Sequence, residues 1–218
     1  MVTIERLIVS LVGFALHLLY TRFAWAYDLV AALVSRGRWW DWVLSAVDYL
    51  PGPMVLETGP GTGHLQRALS KRGLRSVALE PSWQMILRFN RVKDSIELVN
   101  GYAQFIPFKS ATFNQVVATF PTNYIIDPRS LAEIHRILAP GGLLVIIPVA
   151  WITGPTPLDR FLAAIFRVTR QSVPDTTQLE HHFTAPLQAA GFDPEVIRRQ
   201  LPGSLVLIIL ARRNDYSS

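Results

Sequence analysis

Residues 55–63 read Val55-Leu56-Glu57-Thr58-Gly59-Pro60-Gly61-Thr62-Gly63, and His64-Leu65-Gln66-Arg67-Ala68-Leu69 follows with a helical pattern. A short apolar run, an acid, glycines at alternate positions and then a helix predict a strand–loop–helix cradle. Alternate glycines let the backbone bend with φ > 0 and let a ligand lie against main chain where a Cβ would collide. A dinucleotide loop follows G-x-G-x-x-G, with a pyrophosphate at the helix N-terminus. Here the third glycine comes one place early, and His64 stands where the dinucleotide pattern needs glycine. Glu57 closes the strand with a carboxylate, which repels a pyrophosphate but suits a ligand carrying an ammonium or a sulfonium. S-adenosylmethionine carries both, and the chemistry of the loop points to it.

The E-x-G-x-G-x-G segment resembles the first motif of the class I methyltransferases that use S-adenosylmethionine, and later segments agree in order. Val77-Ala78-Leu79-Glu80 reads as a second strand ending in an acid, at the distance where a carboxylate accepts both ribose hydroxyls. Gly101-Tyr102-Ala103, Ile106-Pro107-Phe108 and Phe113-Asn114-Gln115-Val116-Val117 are similar to the family's G-D-A, LPF and FD-x-V segments. Ile134-His135-Arg136-Ile137-Leu138-Ala139-Pro140-Gly141-Gly142-Leu143-Leu144 resembles its R-V-L-x-P-G-G block. The resemblance covers roughly residues 50–212, and it is to the small quinone-biosynthesis C-methyltransferase-like branch. Two positions depart from the pattern. Tyr102 stands where the family places an aspartate for the adenine amino group, and Asn114 replaces the usual aspartate at the start of the fourth strand.

A chain of 218 residues suits one full core and excludes two independent domains with linkers. The expected division is an N-terminal helical extension over 1–50 and a cofactor-binding domain over 51–218. Net charge is +5 with a pI near 9.9, but the mean hydropathy is +0.27 and basic residues come no denser than pairs. That composition argues against a nucleic-acid partner and fits an anionic membrane surface at least as well. The absence of cysteine excludes disulfides, thiol catalysis and thiolate zinc sites. No metal site is expected.

Leu7 to Tyr20 is apolar nearly all round a helix, so something must cover it. As a helix it would reach about 21 Å, short of the ~30 Å hydrocarbon core. Interfacial insertion through residues 4–22, a lid or dimer helix, and core packing are the open placements; a true span or a signal segment is disfavoured. The corresponding location is the cytoplasm, at the inner face of the cell membrane. From Trp25 to Trp42 the chain is rich in aromatics, read as core or membrane-belt residues. From Pro51, strands near 54–58, 75–80, 96–99, 115–120 and 143–149 alternate with helices near 63–72, 82–91 and 128–138. Alternation of this kind predicts an α/β fold with a parallel sheet covered on both faces. A helix from Leu179 to Ala190 and two strands around Pro202-Gly203-Ser204 complete the pattern. The resemblance implies a Rossmann-like, doubly wound, mostly parallel seven-stranded sheet with a terminal antiparallel hairpin, preceded by the apolar helix.

Methyl transfer from a sulfonium asks a protein for alignment and water exclusion more than for acid–base groups. The cofactor-binding set is Glu57, Thr58, Gly59, Pro60, Gly61 and Gly63 at the methionine end and Glu80 at the ribose. Pro81, Ser82, Tyr102 and Ala103 flank the adenine, Thr119, Phe120 and Pro121 border the methyl, and Tyr27 is a candidate lid contact. For Glu57 and Glu80, backbone capping at a strand end is the bland alternative. Proton-accepting candidates are His181 and His182, read as the start of the helix beside the acceptor, and Tyr124; His64 and His135 are read on exposed helix faces. The apolar stretch 151–178 suggests a small or lipid-like acceptor. The rival readings are an NAD(P)-dependent oxidoreductase and a catalytically silent cofactor-binding relative.

Overall fold

The computed structural model describes residues 35–89, 96–154 and 176–214. Tyr27, the apolar run 7–20 and most of the stretch 151–178 lie outside the described residues.

Seven strands form one sheet in the order β3-β2-β1-β4-β5-β7-β6. In chain order they are β1 (Met54–Thr58), β2 (Arg75–Glu80), β3 (Glu97–Asn100), β4 (Phe113–Thr119), β5 (Leu138–Ile152), β6 (Phe192–Leu201) and β7 (Ser204–Arg213). The five strands from β3 to β5 pair in parallel, and β7 runs antiparallel to both β5 and β6. Helices α1 (Trp39–Leu44), α2 (His64–Lys71), α3 (Trp83–Phe89), α4 (Pro128–Ile137) and α5 (Thr176–Ala189) complete the described elements, with short 3-10 turns at Val47–Tyr49 and Asn123–Ile126.

The central strands are apolar at consecutive positions because both faces of a parallel sheet are covered. Alternation then sorts their side chains between two cores. Leu56, Val116, Ala118, Leu144 and Ile146 pack with Leu131, Ile134 and Ile137 of α4 and with Phe183 and Leu187 of α5. Val55, Val117, Val145 and Ile147 point the other way, onto Leu65 and Leu69 of α2 and Trp42 and Val43 of α1. Residues 39–50 thus share the core of the sheet, and α1 packs directly on α2.

Helix α4 starts where its signals predict. Asp127 accepts a hydrogen bond from the Arg129 amide at 2.8 Å, and Pro128 occupies the first turn, where its missing N–H costs nothing. Arg136 in its last turn pairs with Glu133 and donates to the carbonyls of Phe108 and Ile106 at 2.7 and 3.0 Å, while Glu133 accepts from the Ile106 amide. The Arg136 guanidinium holds the Glu133 carboxyl below its ordinary range. This clamp fixes the loop leading from β3 to β4.

Two boundaries differ from expectation. β5 begins at Leu138 rather than near 143, because Leu138 already pairs with Phe113 and the Pro140-Gly141-Gly142 segment is absorbed as an irregularity, with Gly141 at φ 66°. α5 begins at Thr176, so His181 and His182 lie well inside the helix rather than at its start. Among the described residues no helix is long and apolar enough to cross a membrane.

Candidate cofactor site

The strand order places β1 beside β4, with β2 and β3 on one side and β5 on the other. At such a reversal of winding, the crevice outside the carboxyl ends of the two strands is where α/β sheets take ligands. Thr58 ends β1 and Thr119 ends β4. An open cavity lies there, lined by the Gly59–Thr62 loop, His64, Thr119 and, from α1, Trp39 and Trp40.

The loop is held in a tight turn. Gly59 N–H donates to the Leu79 carbonyl and Gly63 N–H to that of Pro60, each at 2.9 Å. Gly59, Gly61 and Gly63 have φ of 71°, 55° and 78°, a region that disfavours any side chain. Their reasons differ beyond that. A Cβ on Gly63 would sit 2.5 Å from the Phe89 ring, so this glycine lets α3 close against the loop. A Cβ on Gly61 would meet nothing within 4 Å, so the space above it is left open.

Glu57 is 1% exposed, and its Oε2 has no hydrogen-bond partner among the described residues. Burial pushes its carboxyl up to about 7, with the Glu80 charge adding to the rise and Gln66 and Arg67 opposing it. A buried carboxylate oxygen lacking a donor, one residue before the end of the strand that leads into the glycine loop, fits a ligand ammonium. Glu80 is equally buried, and its Oε1 accepts from the Ser82 amide at 2.9 Å. Asn100 Nδ2 donates to the Glu80 carbonyl at 2.9 Å and to that of Pro81 at 3.3 Å, fixing the lip between β2 and β3. Ala103 is buried, whereas Tyr102 stands 62% exposed beyond that lip.

Tyr124 reaches across from the turn after β4. Its hydroxyl lies 3.2 Å from Thr58 Oγ1 and donates to the Thr58 carbonyl at 3.1 Å. Burial of the hydroxyl raises the phenol well above its ordinary value, and the Glu80 and Glu57 charges raise it further, so it keeps its proton at neutral pH. Tyr124 therefore positions the end of β1. Phe120 and Pro121 follow Thr119 at the β4 edge, both half-buried.

The structure lines one crevice with the glycine loop and Thr119, sets the buried Glu57 and Glu80 in the strand ends of β1 and β2, and adds three side chains that the sequence reading did not place at the site. Trp39 and Trp40, read as core or belt aromatics, line the cavity. His64 is half-buried rather than exposed, because its ring stacks on Trp40 with centroids 3.3 Å apart. The signal was the proximity of aromatics to the first strand, which composition alone could not aim. His135 is also half-buried, set edge-on against Phe192. His181 and His182 are exposed and do not line the cavity. Among the described residues there is no group of three or more metal-ligating side chains.

Residues 56–146 match the family described as the methyltransferase domain. An S-adenosylmethionine-dependent methyltransferase structure from Thermotoga maritima superposes with a TM-score of 0.59 at 19% identity, covering 88% of this chain and 97% of that one. The fold is that of the class I S-adenosylmethionine-dependent methyltransferases, and the glycine loop and the match over residues 56–146 liken the chain to them. Among sequence relatives the chain is similar to methyltransferases of quinone biosynthesis. Demethylmenaquinone methyltransferase of Thermobifida fusca is 33% identical over 62% of this chain and 61% of its own length. The ubiquinone/menaquinone biosynthesis C-methyltransferase of Cereibacter sphaeroides is 27% identical over 72% and 69%. The demethylmenaquinone methyltransferase of Renibacterium salmoninarum, at 34% identity, is spanned over 52% of its length, so the chain matches only part of such relatives.

Proposed function

We propose that this protein transfers the methyl group of S-adenosylmethionine to a small, lipid-like acceptor of the quinone kind. The observation that carries the reading is the buried Glu57, with an oxygen lacking a donor, set beside three positive-φ glycines in the crevice between β1 and β4. S-adenosylmethionine supplies a methyl already activated on a sulfonium sulfur. The protein's part is to hold and shield. Gly59, Pro60, Gly61 and Gly63 offer main chain to the methionine end, with Thr58 behind them and Glu57 facing the ammonium. Glu80 accepts the ribose hydroxyls, and Pro81, Ser82, Tyr102 and Ala103 border the adenine. Thr119, Phe120 and Pro121 border the methyl, and Trp39 and Trp40 exclude water from above.

An antiparallel β7 between β5 and β6 and the early third glycine weigh against a nicotinamide enzyme. Residues 1–50 serve as a covering extension to the 51–218 domain, with residues 4–22 resting on the inner face of the cell membrane, Tyr27 contributing to the lid and the acceptor coming from that membrane. Deleting residues 1–20 is expected to abolish sedimentation with anionic liposomes at low salt; intact protein that stays in the supernatant refutes the contact.

The direct test is incubation with S-adenosylmethionine and a short-chain prenylated naphthohydroquinone. S-adenosylhomocysteine and a product one methylene heavier are expected. Failure to bind S-adenosylhomocysteine in a calorimeter would overturn the assignment.

A further inference from the structure

Among the described residues only Arg36, Ala111 and Phe120 adopt positive φ without being glycine. Arg36 and Ala111 are exposed, as turn residues usually are. Phe120 is different: a large aromatic residue held at φ 50°, half-buried, immediately after Thr119 at the cavity edge. Left-handed backbone is costly for a bulky side chain and persists only where its surroundings impose it. The imposition is visible. Phe120 N–H donates to the Ile147 carbonyl at 2.7 Å, which extends the β4–β5 ladder one residue past the strand and fixes the backbone at the kink. The kink turns the ring onto Trp39, with centroids 4.3 Å apart and planes 27° from parallel. Trp42, 4% exposed, braces both rings from behind at 6.3 and 6.2 Å. Trp39 and Phe120 themselves remain half-exposed, and Trp39 lines the same cavity as the glycine loop.

We propose that Phe120 and Trp39 form a rigid aromatic wall that selects a flat conjugated ring as the methyl acceptor and presents the face of that ring to the methyl. The proposal rests on the methyl-transfer reading and extends it to named acceptor-selecting residues. Its chemical basis is direction. A carbon in a conjugated ring donates electrons perpendicular to the ring plane, so the methyl must arrive over one face while the other face lies against the protein. A hydroxyl or amine attacks through a lone pair and needs no such backing. In the transfer, a bond forms between the ring carbon and the methyl, and the carbon–sulfur bond breaks. The sulfur keeps that electron pair as a neutral thioether, and the ring carbon's proton passes to water. Stacking on a braced pair rewards planarity through offset ring contact, which an aliphatic ring of equal size cannot reproduce.

The test measures binding of 2-methyl-1,4-naphthoquinone by tryptophan quenching and by calorimetry, alongside S-adenosylhomocysteine, for the wild type, Phe120→Leu, Phe120→Gly and Phe120→Tyr. The absence of cysteine removes thiol addition to the quinone as a complication. Relative to S-adenosylhomocysteine, quinone affinity is expected to fall about tenfold or more in the leucine and glycine variants and to be kept by tyrosine. The glycine variant relieves the strained φ, so it keeps the test open if leucine fails to fold. Equal quinone affinity in wild type and Phe120→Gly overturns the wall, as does a wild type that binds S-adenosylhomocysteine but no quinone. A wild type that binds neither overturns the methyl-transfer reading itself.

Discussion

Replacing Glu57 with glutamine removes one ionisable group buried at the end of β1 and keeps its shape, so stability against pH isolates what that carboxyl does. Burial raises it from an ordinary 4.5 to about 7 in the folded chain. Between those values the native state binds a proton that the unfolded chain has released, so stability contributed by the protonated form is complete below pH 4.5 and is lost as pH rises toward 7. The shift corresponds to about 3 kcal/mol in total, of which roughly 2.5 kcal/mol is lost between pH 5 and pH 8. Glu57→Gln does not titrate. Urea unfolding of both proteins at half-unit steps should therefore show the variant gaining on the wild type by about 2–3 kcal/mol across that window. S-adenosylhomocysteine carries the ammonium that the buried oxygen lacks, so saturating it should pull the carboxyl down and release protons at pH 6.5. Calorimetry in two buffers of different ionisation enthalpy reads that release. A stability difference that stays flat from pH 5 to pH 8 would refute the argument that burial of Glu57 outweighs the Gln66 hydrogen bond and the Arg67 charge.

Other outcomes follow from single contacts. Glu80→Ala should weaken S-adenosylhomocysteine binding by about 2–4 kcal/mol through loss of charge-assisted hydrogen bonds, and unchanged calorimetric affinity would remove Glu80 from the ribose. Gly61→Ala meets no neighbour, so its melting temperature should show only the cost of a positive φ, about 1 kcal/mol, while cofactor binding falls sharply. Gly63→Ala should cost more, roughly 2–3 kcal/mol in urea unfolding, because its Cβ drives into Phe89. Arg136→Ala removes the donor to two loop carbonyls and leaves Glu133 without its cation, and a loss of about 3 kcal/mol is expected by the same measurement.

How far the sequence spoke can be judged residue by residue. The apolar runs at 54–58 and 75–80, each closed by a strand-end polar residue, gave β1 and β2 with their ends in place. An unbroken apolar run and a glycine loop are local signals, legible wherever neighbours in sequence share a strand or a turn. The start of β5 was not legible, since Leu138 is a strand residue only because Phe113 lies opposite it. Trp39 and Trp40 carried the right chemistry but no address. Their place over the loop depends on α1 packing across α2, which joins segments with a strand between them. The place of Phe120 just past the end of β4 was legible, yet its left-handed backbone leaves no trace in residue type.

β7 lies between β5 and β6 although it follows both in the chain. Until residues 204–213 have been made, β5 is a sheet edge running from Leu138 to Ile152, bare along its whole length. Long apolar edges recruit other strands, and pairings between distant segments form late. A nascent or truncated chain that stops at residue 203 would present this edge to its neighbours, so the yield of folded protein should be sensitive to any stall in synthesis over those last strand residues.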